Sequence, residues 1–269
     1  MIRRLLVALL ALLSPAVLHA QSLPADTRPE ALRDVGFDQR LGESLPLDVV
    51  LRDESGRSVP LGQYFGRRPV VLSVVYYDCP MLCTLTLNGL VSALSTLSFD
   101  VGREFEVVTV SFDPREGPDL ARAKKASYLQ RYQRAGAPEG WHFLTGDEAA
   151  LKRLTAAVGF RYAWDERTKQ FAHPAGIVVL TPEGRISRYL YGIEYAPKDL
   201  KLALMESSAG RIGSALDQVL LFCYQYDPQT GRYGAMILRL VRVGALVTLL
   251  ALGGLIFALR RVKPQEAAG

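Results

Sequence analysis

The sequence predicts an α/β fold for the central part of this 269-residue chain, and three observations carry that prediction. Residues 69–77 form a continuous β-branched and aromatic run, which is typical of a strand buried on both faces. A helical pattern follows at 82–98, where leucines recur at helical spacing. A second strand at 105–112 is followed by a helix at 118–134, which begins with a proline in its first turn.

The remaining elements complete a recognisable order. They are a hairpin at 49–63, a helix at 147–158, strands at 176–181 and 186–191, and a helix at 197–207. Two strand–helix units, then a hairpin and a helix, form the thioredoxin-like order. We therefore expect an α/β, thioredoxin-like domain, with the first strand–helix junction at the edge of the sheet where ligands gather.

Both ends of the chain carry apolar segments with flanking arginines. Residues 1–20 show the charged, apolar and small-residue order of a secretory signal peptide, with cleavage expected after Ala20. The run 243–259 is uncharged, and extending it to 237–260 with its arginines predicts a C-terminal transmembrane helix. The predicted location is the inner membrane, with a single C-terminal span and the main domain on the periplasmic, exported side.

These features divide the chain into six predicted regions. They are a signal peptide at 1–20, an extended lead-in at 21–48, the thioredoxin-like domain at 49–208, a membrane-proximal segment at 209–236, a transmembrane helix at 237–260 and a cytoplasmic tail at 261–269. The formal net charge of +5 comes mainly from the terminal flanks, so the domain itself is close to neutral. We expect the membrane as a partner and no binding of nucleic acid.

The most informative feature is the pair Cys79 and Cys83, which lies at the junction between the first core strand and its helix. Residues four apart share a helix face, so a pair on a first turn can direct both sulfurs at one point. A helix N-terminus also favours the thiolate form. The pair therefore indicates a site for a soft metal ion, reversible disulfide chemistry, or both.

Two thiolates leave a metal ion short of ligands, so a third donor is expected elsewhere in the chain. Beyond the signal peptide the sequence has two histidines, His142 and His173. In a thioredoxin-like fold the loop before the third strand faces the cysteines, which makes His173 the better candidate. On spacing alone, a surface histidine that bonds the backbone remains an open interpretation.

Four motifs, over about residues 45–204, together resemble the Sco/SenC family. They are YYDCPMLC at 76–83, VSFDP at 110–114, GWHFLTG at 140–146, and His173 followed by VVLTPEG at 178–184. Members of this family are membrane-tethered copper-binding proteins that help to assemble the dinuclear copper centre of cytochrome c oxidase.

The resemblance implies that Cys79 and Cys83 are thiolate ligands of copper and that His173 is the imidazole ligand. Such a donor set suits Cu(I) and accepts Cu(II) when water or Asp78 adds an oxygen ligand. The implied function is that of a metallochaperone, not an enzyme. It would receive copper from an upstream donor and deliver it to the copper-bearing subunit of the oxidase.

A second function stays open, because the same pair suits a thiol–disulfide oxidoreductase that reduces the copper-ligand cysteines of the oxidase. Cys79 and Cys83 would then be the catalytic residues, and a thiol reductant would be a partner. Three residues separate the cysteines instead of the ordinary two, which favours metal capture. A peroxidase of the peroxiredoxin kind is disfavoured, because no threonine stands three residues before either cysteine.

The sequence leaves the roles of several residues open. Asp113 matches a family acidic residue linked to partner interaction or to electrostatics near the metal, and an ordinary turn residue before proline is an equal interpretation. Met81 and Thr84 stand where many relatives have an acidic residue and a proline. Cys223 is interpreted as a small buried apolar side chain rather than a second metal or redox residue.

Overall fold

The structure is a computed structural model that describes residues 34–79, 81–212, 226–227, 232–233 and 235–261. The predicted signal peptide at 1–20 and Cys223 lie outside these described residues. The chain divides into two compact units, Met1–Ile212 and Gly213–Gly269.

Strands and helices alternate between residues 70 and 158 of the first unit, as the sequence predicts. The described strands are β1 Gly36–Phe37, β2 Val50–Arg52, β3 Ser58–Pro60, β4 Val70–Val75, β5 Glu106–Ser111, β6 Trp141–Leu144, β7 Phe160–Arg161, β8 Ala163–Asp165, β9 Gln170–Ala172, β10 Gly176–Leu180, β11 Ile186–Tyr191, β12 Tyr226–Asp227 and β13 Arg232–Tyr233. The described helices are α1 Leu82–Thr96, α2 Pro118–Tyr132, α3 Ala137–Gly140, α4 Glu148–Val158, α5 Pro197–Ser208 and α6 Ala235–Arg261, and a 3-10 helix covers Leu61–Tyr64.

A five-stranded sheet forms the centre of the first unit, in the order β11-β10-β4-β5-β6. β4 runs parallel to β5, and β5 runs parallel to β6. β10 is antiparallel to both β4 and β11. The strands from β11 to β5 have the order and directions of a thioredoxin-like fold, so this prediction is confirmed.

β6 adds a strand whose bounds the sequence did not predict; its backbone pairs with β5, and buried side-chain hydrogen bonds add to this pairing. The hydroxyl of Ser73 on β4 donates to Oγ1 of Thr109 on β5, over 2.9 Å. Nε1 of the fully buried Trp141 on β6 donates to the same oxygen, over 3.0 Å. Polar groups of three strands thus satisfy one another inside the apolar core.

The predicted C-terminal transmembrane helix at 237–260 is wrong. The segment is helical within α6, but among the described residues no helix is long and apolar enough to cross a bilayer. The uncharged run 243–259 falls short of the roughly 20 residues that a span needs, and lengthening it takes in Arg239 and Arg242. The single C-terminal span in the predicted inner-membrane location is corrected with it.

Gly89 on α1 provides a test of how closely the helix and the loop before α5 approach each other. A Cβ at this position would lie 1.8 Å from the carbonyl oxygen of Ile193. We expect Gly89→Ala to lower the free energy of unfolding by about 1–3 kcal/mol, because backbone must move to make room. Urea unfolding measures this change.

Ser92→Ala is the matched control, since Ser92 is exposed on the same helix. It should change the free energy of unfolding by less than about 0.5 kcal/mol. Equal midpoints for Gly89→Ala and the unaltered protein would contradict the close contact between α1 and the loop.

Candidate metal centre

The fold brings the three predicted ligands to one edge of the sheet. Cys79 lies in the loop after β4, Cys83 lies in the first turn of α1, and His173 lies just before β10. β10 pairs antiparallel with β4, and Ile177 stands opposite Ser73. The start of one strand therefore lies beside the end of the other, which is why residues far apart in sequence meet.

The ligand atoms of these side chains are close together and shielded from solvent. They lie within 4.8 Å of one another, and Cys83 Sγ is 3.2 Å from His173 Nε2. The exposed fractions are 7% for Cys79, 2% for Cys83 and 7% for His173. In the part of the chain that the structure describes, this is the one group of at least three His, Cys, Asp or Glu side chains that could hold a metal ion.

The start of α1 explains how the two sulfurs are oriented. The sequence argument placed both cysteines on a helical turn, whereas α1 begins at Leu82 and Cys79 precedes it. The backbone N–H of Cys83 donates to Cys79 Sγ over 3.3 Å. Met81 at the N-cap supplies no side-chain acceptor, so the Cys79 sulfur takes that place.

The two thiols differ in their protonation. The hydrogen bond from the Cys83 thiol is the main cause that lowers the pKa of Cys79 to about 3; burial opposes the shift, and hydrogen bonds from His173 and the Cys83 backbone support it. Burial raises the pKa of Cys83 far above its ordinary value, and the hydrogen bond and charge of Cys79 add to this. At neutral pH Cys79 is therefore a thiolate and Cys83 a thiol.

A backbone carbonyl and two aromatic rings hold the imidazole of His173 in position. Its Nδ1 lies 3.0 Å from the carbonyl oxygen of Pro174, and its Nε2 lies 3.2 Å from Cys83 Sγ. With the proton on Nδ1, a metal ion would take the lone pair of Nε2. The ring packs against Tyr76 and Phe112, with centroids 5.7 and 5.4 Å away. Metal-binding histidines commonly have such a carbonyl partner, because it orients the ring.

Glu116 is a site residue that the sequence reasoning missed. Its carboxylate accepts the backbone N–H groups of Tyr77 and Asp78, over 2.7 and 2.6 Å, and the hydroxyl of Ser111. It thereby holds the loop that leads into Cys79. Burial raises the pKa of Glu116, and these hydrogen bonds oppose the shift. One signal in the sequence could have found it. Glu116 lies in the loop after the second predicted strand, and loops after parallel strands meet at one edge of the sheet.

Three other residues singled out from the sequence do not join the metal group. Asp78 is exposed, and its carboxylate is not part of the group, so the expected fourth donor is not found there. His142 pairs with a glutamate of β5 over 3.3 Å, as the preference for His173 anticipated. Asp113 is buried and binds the guanidinium of Arg115.

The donor set suits a soft metal ion. With metal–ligand bonds of about 2.0–2.3 Å, the donors of a three-coordinate ion lie about 4 Å apart. The present spacing, within 4.8 Å, is close to that requirement. Two sulfurs and one imidazole favour copper over zinc at equal availability, so the site supports the copper binding expected from the sequence.

Comparison with known proteins finds similar solved structures. A candidate electron transfer protein from Aquifex aeolicus VF5 is 28% identical, with a TM-score of 0.56 over 66% of this chain and 98% of that chain. A candidate electron transport protein from the same organism is 27% identical, with a TM-score of 0.52 over 63% and 99%. ScoI of Arabidopsis thaliana, solved with copper bound, is 18% identical, with a TM-score of 0.49 over 64% and 99%. None of the curated proteins matches this chain.

The two Aquifex structures show that the fold extends over nearly their whole length. A family model described as SCO1/SenC matches residues 42–205, which is more than half of this chain. The matched region contains both cysteines of the cluster and His173. This chain therefore belongs to the SCO1/SenC family, as its motifs predicted.

Proposed function

We propose that this protein binds one copper ion through Cys79, Cys83 and His173 and delivers it to the copper-bearing subunit of cytochrome c oxidase. The observation that carries the proposal is the convergence of these three donors within 4.8 Å from two distant segments. Membership of the SCO1/SenC family supplies the oxidase as the receiving protein.

Delivery requires that the ion can leave, and the composition of the site suits this. Within the described residues no fourth His, Cys or carboxylate joins the group, so a ligand of the receiving protein can add to the ion before the old ligands leave. Met81, beside the cysteines, is 67% exposed, so the loop over the site is open to a partner. Copper is thus held as cargo rather than as a permanent structural ion.

A second candidate function is thiol–disulfide exchange, and the unequal protonation of the cysteines favours it. The Cys79 thiolate would attack a substrate disulfide, forming a mixed disulfide and releasing one substrate thiolate. Cys83, on losing its proton, would attack the Cys79 sulfur and release the second. The substrate disulfide would be reduced and the Cys79–Cys83 pair oxidised.

Copper titration of the full chain tests the first function. We expect one Cu(I) per protein, and losses of affinity in Cys79→Ser, Cys83→Ser and His173→Ala. Removing a residue that only hydrogen-bonds a metal ligand lowers metal affinity by about 10- to 100-fold. Loss of a ligand itself should lower the affinity by more than this. Competition with a chromophoric Cu(I) chelator measures the affinity.

His142→Gln is the control for loss of a histidine, because His142 lies outside the metal group. It should bind copper as tightly as the unaltered protein. Unchanged affinity in all three ligand variants would contradict the proposed site.

Loss of the imidazole also separates the two functions. If reduction of a disulfide peptide is the main activity, His173→Ala should retain most of it, because the imidazole forms no bond to the substrate sulfur. If copper transfer is the main activity, the same variant should lose transfer to a copper-free oxidase domain. Rates of peptide reduction and copper transfer, measured side by side, decide between them.

The difference in pKa between Cys79 and Cys83 predicts that these two thiols of the metal-free protein are alkylated in separate phases. Since the pKa of Cys79 is lowered to about 3, its thiolate is already formed at pH 5, and iodoacetamide should modify Cys79 at a nearly constant rate from pH 5 to 8. Cys83 should react only in strongly alkaline solution, because its pKa is raised.

Mass spectrometry of samples taken at successive times identifies which cysteine is modified. Cys79→Ser should abolish the phase seen in acid, and Cys83→Ala should move it to higher pH, because alanine has no donor to replace the main hydrogen bond to Cys79. A single phase near the ordinary thiol pKa would show that the two sulfurs are equivalent.

A further inference from the structure

His173 follows directly after a hairpin, residues 163–172, that is built from β8 and β9. These two strands pair with each other in a separate two-stranded sheet, and neither joins the five-stranded sheet. Backbone hydrogen bonds of the sheet therefore do not fix the hairpin. Its position against the rest of the domain depends on side-chain contacts.

Arg115 makes a contact of this kind from the loop after β5. Its guanidinium lies over the ring of Trp164 on β8, 4.9 Å from the centroid, and 5.4 Å from that of Phe171 on β9. Phe171 in turn packs against Tyr76, with centroids 5.6 Å apart. One cation thus contacts both strands of the hairpin.

Asp113 holds this guanidinium in place. Its carboxylate accepts two bonds from Arg115 Nε, over 2.8 and 3.1 Å, one from Nη2 over 2.6 Å, and one from the Arg115 backbone N–H over 2.9 Å. Asp113 is only 4% exposed, so the arginine is bonded to a fixed partner. A planar guanidinium can use its edge for a carboxylate and its face for an aromatic ring at once.

The same loop also holds the sulfur side of the site. Glu116, next to Arg115, accepts the backbone N–H groups of Tyr77 and Asp78, directly before Cys79. The loop 113–116 therefore contacts the segment that precedes the cysteines and the segment that precedes the histidine.

We infer that Arg115, fixed by Asp113, is a positioning residue that holds the hairpin 163–172 so that the His173 imidazole stays against the sulfurs. It touches no metal ligand and acts only through the hairpin. The inference rests on the proposed function where copper affinity is concerned, and on the fold alone where the position of the hairpin is concerned.

The test compares Arg115→Ala and Arg115→Lys with the unaltered full chain. Lysine keeps the charge but lacks the planar group that bonds Asp113 and stacks on Trp164. In the metal-free protein we expect both variants to raise amide hydrogen exchange of residues 163–173 about tenfold, with no change in β4 and β5. We expect Cu(I) affinity to fall by about tenfold in both.

Arg153→Ala is the matched control. Arg153 lies on α4, and its guanidinium donates two hydrogen bonds to the carboxylate of Asp48, over 2.7 and 2.9 Å. This variant should change neither the hydrogen exchange of residues 163–173 nor the Cu(I) affinity. Trp164→Ala should reproduce the faster hydrogen exchange and the weaker Cu(I) binding expected of Arg115→Ala. Trp164→Phe should bring both back to the values of the unaltered protein, since a phenyl ring still accepts the cation. A merely structural effect would instead lower protection throughout the domain and would not be rescued by Phe.

Unchanged exchange of residues 163–173 in Arg115→Ala would overturn the inference, whatever the copper affinity. Faster exchange of the hairpin with unchanged copper affinity would also overturn it, because the hairpin would then not set the position of His173. If the unaltered protein bound no copper while the hairpin opened in Arg115→Ala, the proposed function would fail and the role of Arg115 in holding the hairpin would stand.

Discussion

The burial of β4 between β10 and β5 fixes the positions of both halves of the metal centre. All six residues of this strand are buried, and each fully buried Val or Leu contributes on the order of 1.5–3 kcal/mol. A shift of β4 by one residue would move its end by about 3.3 Å, which is as large as the 3.2 Å between Cys83 Sγ and His173 Nε2. The packing of one apolar strand therefore decides whether sulfur and imidazole meet.

The order of elements could be predicted because its signals are local. The continuous apolar sequence of β4 and the proline at the start of α2 mark elements that the structure confirms. The cluster of Cys79, Cys83 and His173 was also expected. The predicted fold made His173 the better of two candidate histidines, and the family resemblance then identified it as a ligand. Spacing in sequence carries little information on a contact that antiparallel pairing of β10 with β4 creates.

Other features depend on tertiary contacts that no local pattern records. β6 has four residues, too few for a periodic signal, and it is held by Trp141 and its neighbours. Glu116 is an ordinary charged loop residue in the sequence, and its value to the site comes from backbone amides on another loop. At 237–260 a helix was correctly expected, but its hydrophobic length was overestimated because flanking arginines were counted as part of a span.

The separate pairing of β8 with β9 has a consequence for how an ion could leave the site. A segment held by few contacts can detach at a small fraction of the cost of unfolding the whole domain. Detachment of this segment would move the imidazole nitrogen of His173 away from the site. Both sulfurs would stay in place, one in the loop after β4 and one in the first turn of α1. The lifetime of a bound ion would then follow the frequency of that local fluctuation, and a receiving protein that stabilised the detached form would accelerate release without disturbing the core.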